Sequence, residues 1–188
     1  MSIDLEGVRA VAEQTRADFE QGAVLEDEIV ESALVTDRMH IFAARLASPS
    51  MEAYERGVAD GTLRKVGRYF LPVPLVSPDR KFPHDACEMA SSVLAARLIG
   101  AKVLGDKKPE IAEGGWGVDS YTSDGNYTFS NPHTFINLGF VHLAPTAKAC
   151  ETILDITADQ FDPNIPPVYL GPLKDPWTTA PLFEGDVW

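Results

Sequence analysis

Apolar positions recur through the first third of the chain at roughly helical spacing. Leu5, Val8, Ala12 and Phe19 are separated by charged residues, and Ile29, Val30, Ala33, Leu34, Ile41, Phe42 and Leu46 repeat the pattern over about 26–46. The stretch "SPSMEAYERGVADG" then offers Ser48 as N-cap, Pro49 at the first helical position and Gly61 as a stop, which predicts a third helix. From Arg64 the character changes. "RKVGRYFLPVPLVSP" is apolar, β-branched and aromatic but broken by Pro72 and Pro74, the pattern of an edge strand or extended segment. One more helix is predicted over 86–99. Beyond it come the strand-like runs "GWGVDSYT", "HTFINLGFVHL", "ETILDITA" and "PPVYLG", separated by loops of Gly, Asn, Asp and Pro. Helices first and strands later predict an α+β domain.

This pattern implies one domain in three parts: an N-terminal helical layer at 1–62 packed on the remainder, a core at 63–165, and an irregular Pro- and aromatic-rich tail at 166–188. About 60 residues alone bury too little surface to stand as an independent unit. The full chain has 188 residues, of which 45% are apolar, enough for a sizeable core.

Charge narrows the partners. A net charge of −12 argues against nucleic acid, which needs clusters of Lys and Arg, and against anionic membrane surfaces. The N-terminal "MSIDLEGVRAVAEQTRADFEQG" has no unbroken apolar run and reads as neither signal peptide nor transmembrane helix. Two cysteines make no disulfide framework, so a cytoplasmic protein with reduced thiols is expected. His40, His84, His133 and His142 are scattered, and no C-x-x-C or H-E-x-x-H occurs, so no metal and no cofactor are expected.

The candidate chemistry begins at "HDACEMASSVLAARL", residues 84–98. Asp85 suits an N-cap, with Glu88 three residues on as its capping-box partner, which puts Ala86 and Cys87 in the first helical turn. There the unpaired backbone N–H groups and the positive dipole end favour a thiolate and an oxyanion. The other reading of Cys87 is a small buried core residue, the role expected for Cys150. A nucleophilic thiol needs a base and a group to orient that base. His133 opens a strand and is the favoured base, with His142 in reserve. Asp155 interrupts the apolar strand of Thr152, Ile153, Leu154 and Ile156, where a carboxylate is costly unless paired. An imidazole N–H suits it; capping a turn is the alternative, and Asp159 looks more like that turn residue.

Cys87 at a helix start, then His133-Thr134-Phe135-Ile136, then Leu154-Asp155-Ile156-Thr157, taken in that order, resembles the transglutaminase-like branch of the papain-like cysteine enzymes. The likeness covers about residues 80–165. It implies a Cys-bearing helix packed on an antiparallel sheet and a Cys87–His133–Asp155 triad performing acyl transfer on an amide or ester bond of a peptide, protein or small molecule. Protease, amidase, deamidase and amine-transfer chemistry all fit. Trp116, His84 and Phe135 are the candidate substrate-binding side chains, with Gly114, Gly115 and Gly117 allowing unusual backbone angles around Trp116. Gln160 adds a side-chain donor only if the turn after Asp155 folds back toward the thiol. A non-catalytic peptide- or protein-binding domain and a deamidating toxin-like effector are the other two readings.

Overall fold

The computed structural model describes residues 2–44, 46, 50–76, 82–83, 86–116, 120–121, 127–128, 132–174 and 177–179. It is α+β. Helices α1 (Leu5–Glu20), α2 (Glu26–Val35), α3 (Met39–Phe42) and α4 (Met51–Ala59) come first, and a hairpin of β1 (Leu63–Val66) and β2 (Tyr69–Pro72) follows. Helix α5 (Cys87–Ala101) is succeeded by β3 (Glu110–Trp116), β4 (Ser120–Tyr121), β5 (Tyr127–Thr128), β6 (Pro132–Val141), β7 (Cys150–Asp155), β8 (Tyr169–Pro172) and β9 (Trp177–Thr179). The main sheet is antiparallel in the order β8-β7-β6-β3-β9.

Local chemistry explains where the first helices start and stop. Asp4 caps α1, its carboxylate accepting from the Gly7 N–H. The apolar run of 26–46 does not form one helix. The chain turns at Asp37, which has φ 56°, and the Asp37 and Arg38 N–H groups donate back to the Leu34 and Ala33 carbonyls. This is the double bond of a Schellman stop, with Asp in the place that Gly usually takes. Helix α4 is capped by Ser50, whose Oγ accepts from the Ala53 N–H. The expected cap at Ser48 and Pro49 lies outside the described residues.

Helix α5 is the centre of the packing. Met89, Ala90, Ser91, Ser92, Val93, Leu94, Ala95 and Leu98 are all buried, because α1 and α2 pack on one side of it and β6 on the other. One cluster joins Val8 and Ala12 of α1 to Ala90, Leu94 and Leu98 of α5 and to Ile136, Leu138 and Leu154 of the sheet. The N-terminal helices are therefore a layer on the sheet half. The boundary at residue 63 shifts, however. Leu71 of the β1–β2 hairpin packs with Val30, Ala33 and Met39, so the hairpin belongs to the helical layer and not to the main sheet. It closes through Gly67 at φ 59°, a conformation glycine adopts without penalty.

The tail also departs from expectation. Its residues 177–179 form β9 and pair with Gly114–Trp116 of β3, completing the sheet's edge. Backbone hydrogen bonding to an unpaired strand edge holds this segment in place despite its Pro-rich sequence.

Leu98 is fully buried between α1 and the sheet. Leu98→Ala should lower the unfolding free energy by about 2–5 kcal/mol in urea titrations. Because α1 shares that core, far-UV circular dichroism and tryptophan fluorescence should report one coincident transition. A separate early loss of helix would show that the layer folds on its own.

Candidate active site

Helix α5 starts at Cys87, with Ala86 in the N-cap position and no side-chain cap. This moves the expected start by one residue; Asp85, the expected cap, and His84 lie outside the described residues. Cys87 becomes the first residue of the helix. It thus lies among the amide groups that have no partner within the helix and at the positive end of the dipole. Its side chain is half-buried and free of any disulfide. Ser91, one turn along, donates to the Thr134 carbonyl at 3.0 Å and ties this end of α5 to β6.

His133 stands at the head of β6. The strand position directly across from it is Gly114 of β3, so no side chain competes with the imidazole there. Gly114 and Gly115 are paired strand positions, between β6 and β9. Strand alternation places Thr134 and Ile136 on the α5 side, while Phe135 packs with Ile153 and Ala158 on the other side. Asp155 ends β7, the neighbour of β6 in the sheet.

The His133 Nε2–H donates to Asp155 Oδ2 at 2.6 Å, and the two residues are each 2% exposed. The other carboxylate oxygen, Oδ1, accepts from the Thr157 N–H at 2.8 Å and the Thr157 hydroxyl at 3.1 Å. Asp155 is thus both a turn-capping residue and the partner of an imidazole, one role per oxygen. Phe161 packs edge-on against the His133 ring at 5.0 Å between centroids. Cys87 lies near enough to the imidazole to act on its charge as well. Burial alone would lower the pKa of His133. The carboxylate charge and hydrogen bond of Asp155, and then the nearby Cys87 side chain, outweigh it and raise the value from 6.5 to about 9.

The structure therefore brings Cys87, His133 and Asp155 together. His142 is exposed on the turn after β6, where Nδ1–H donates to the Ala147 carbonyl at 2.7 Å, so it is not the base. His40 is exposed on α3. Phe135 is a correction: it is fully buried under the 158–173 segment and supports the sheet instead of meeting a substrate. The backbone of Trp116 pairs with Trp177. Cys150 is half-buried at the start of β7, beside the Thr152 hydroxyl. Asp159 pairs with Arg16 of α1.

The residues that sequence reasoning missed are Thr157, Phe161 and Arg16. Thr157 had a signal, since a hydroxyl two residues after an Asp can bond its carboxylate. Phe161 had none beyond its aromaticity. Among the described residues no group of three or more His, Cys, Asp and Glu could hold a metal ion, and no helix is long and apolar enough to cross a membrane. Comparisons with family models, curated proteins and solved structures returned no match to this chain.

The raised pKa of His133 makes folding pH-dependent with a definite sign. The imidazolium is stabilised in the fold, so its contribution is fully present below the unfolded value of 6.5 and is lost as pH rises through about 9. Unfolding free energies measured in urea should fall across that window. In Asp155→Asn, which removes the charge that holds the proton, the slope should flatten. An unchanged slope would show that Asp155 does not govern the titration of His133.

Proposed function

We propose that this chain is a cysteine-dependent acyl-transfer enzyme, with a core of the transglutaminase-like, papain-like type that its motifs resemble. The single observation carrying the reading is the buried His133 imidazole, bonded to Asp155 at 2.6 Å and set near Cys87, which holds the first position of a helix. A core residue needs no such pairing. A nucleophile needs both partners.

In this reading His133 holds its proton at neutral pH beside Asp155, and the Cys87 sulfur, at the positive end of a helix, is the nucleophile in its thiolate form. The thiolate attacks the carbonyl carbon of an amide or ester. The carbon–sulfur bond forms, and the carbonyl electron pair moves to oxygen. Backbone N–H groups at the start of α5 are the donors available to that oxyanion. As the oxyanion collapses, the bond to the leaving nitrogen or oxygen breaks and His133 protonates that atom. Water or an amine then attacks the acyl-thioester and gives its proton to His133, and the departing thiolate restores the pair. Asp155 holds the Nε2 proton throughout, so the ring keeps one orientation for both transfers. Thr157 in turn holds Asp155. The substrate is the amide or ester of a peptide, protein or small molecule, and the chemistry needs no cofactor. Both cysteines are free, which suits a reducing compartment and keeps the nucleophile available.

Alkylation by chloroacetamide, followed by mass spectrometry of the Cys87 and Cys150 peptides, tests the reading. Cys87 should react measurably at pH 6 and Cys150 should not. His133→Ala should reduce the pH 6 rate of Cys87 by about tenfold or more, in keeping with the loss of a charged neighbour. Asp155→Asn should reduce it less. Identical pH profiles in the wild type and His133→Ala would make Cys87 an ordinary thiol and favour a non-catalytic binding domain.

A further inference from the structure

Arg16 lies in α1, far in sequence from Cys87, His133 and Asp155, yet its guanidinium is almost fully buried. It bonds Asp159 through both nitrogens, Nη1 to Oδ1 at 2.6 Å and Nη2 to Oδ2 at 2.7 Å. Nη1 also donates to the Ile156 carbonyl at 2.7 Å and the Pro167 carbonyl at 3.1 Å, and Nε donates to Glu20 at 2.7 Å. These acceptors bracket the turn after Asp155. Ile156 follows Asp155 directly. Asp159 lies within the short 3-10 turn Ala158–Gln160, and Phe161, which packs on the His133 ring, comes next.

The other side of the guanidinium meets the approach to the nucleophile. Its carbon sits 5.0 Å from the centre of the Phe82 ring, and Phe82 stacks on Phe19 of α1 at 5.1 Å. Phe82 and Pro83 lead into α5, and the Pro83 carbonyl accepts from the Ala86 N–H next to Cys87. One side chain therefore touches both the segment that delivers Asp155 and Phe161 and the segment that delivers Cys87. A planar, five-donor fork suits this task, because it can grip a carboxylate, reach two carbonyls and lay a face on an aromatic ring at once. A lysine can do one of these. Burial of such a pair is not in itself a strong source of stability, since desolvation offsets much of the attraction.

We infer that Arg16 is a positioning residue of the proposed acyl-transfer site. By gripping the 156–167 segment and packing on Phe82, it sets the separation between the Cys87 thiol and the His133–Asp155 pair. The inference rests on the acyl-transfer reading and extends it, since it makes a helix outside the region of family resemblance part of the working site. Around the guanidinium the titratable groups are Asp159 and Glu20, and around the His133 ring they are Asp155 and Cys87.

The test compares Arg16→Lys and Asp159→Asn with Arg97→Lys in the full chain. Arg97 is a useful control. It joins α5 to Asp18 of α1 and Glu28 of α2 but does not bond the 156–167 segment. Three measurements are made on each protein: thermal unfolding, the His133 titration from its ring protons by NMR, and the pH profile of Cys87 alkylation. Arg16→Lys and Asp159→Asn should lower the His133 pKa by about one unit and cut the pH 6 alkylation rate about tenfold, as a small misplacement of reacting groups does. Arg97→Lys should lower the melting temperature and leave the other two readouts alone. If Arg16→Lys does not fold, Asp159→Asn decides, because it weakens the grip while leaving both carbonyl contacts. Lowered melting temperatures with an unmoved His133 titration and alkylation profile would overturn the inference and make Arg16 a structural residue only. A wild type with no pH 6 alkylation, but with a His133 titration that still responds to Arg16, would overturn the acyl-transfer reading and leave the grip on the His133–Asp155 pair standing.

Discussion

The hydrogen bond between His133 and Asp155 is the constraint around which the site is arranged. A carboxylate at the end of an apolar strand is costly to bury, by several kcal/mol if it has no partner. Each of its oxygens is therefore occupied: one accepts from the imidazole, the other from the backbone and hydroxyl of Thr157. Meeting that demand fixes the ring plane of His133. It also fixes the tight turn that follows β7 and, through that turn, the place of Phe161 against the ring. An imidazole kept charged to about pH 9 is a lasting cation in the interior of an acidic protein, and its natural neighbour is an anion or a group able to become one. In the proposed function Cys87, at the first position of α5, takes that place.

The helical layer has more than a packing role. Val8 and Ala12 bury their side chains against α5 and complete the cluster that holds α5 to β6. Four residues further along the same stripe the chain places Arg16, where an apolar residue would be expected. The layer thus contributes both the apolar pressure that seats the Cys87 helix and the polar contacts that reach the loop beyond β7. These two functions share one helix face. An α1 that slipped by one residue would lose both, because a residue turns 100° about the axis with each step and the stripe would face away.

Much of the site was legible from local signals. The apolar strand interrupted by Asp155, the histidine opening its strand and the cysteine opening a buried helix each carried a chemical tension that a partner would relieve, and His133 and Asp155 are each other's partner. What failed was reading a role from residue type alone. Phe135 was expected to meet a substrate, yet Ile153 and Ala158 pack against it and leave it fully buried. The glycines around Trp116 were expected to allow unusual backbone angles, yet Gly114 and Gly115 are paired on both sides by β6 and β9. Pairing partners from distant segments override local propensity, and nothing in a short window announces them.

The sequence by itself determined the order of elements, the α+β class, and the identities of the thiol, imidazole and carboxylate. Each of these follows from periodicity, capping and the cost of burying a polar group, all of which act over a few residues. Only the tertiary structure decided that the Pro-rich tail supplies an edge strand, that the β1–β2 hairpin belongs to the helical layer, and that Arg16 spans about 140 residues of chain to hold the turn after Asp155. Those outcomes depend on which distant surfaces meet. Burial of apolar area is non-directional and selects no single partner from a stripe of Val and Ala. The partners are selected by hydrogen-bonding groups that must be satisfied once the core has closed around them.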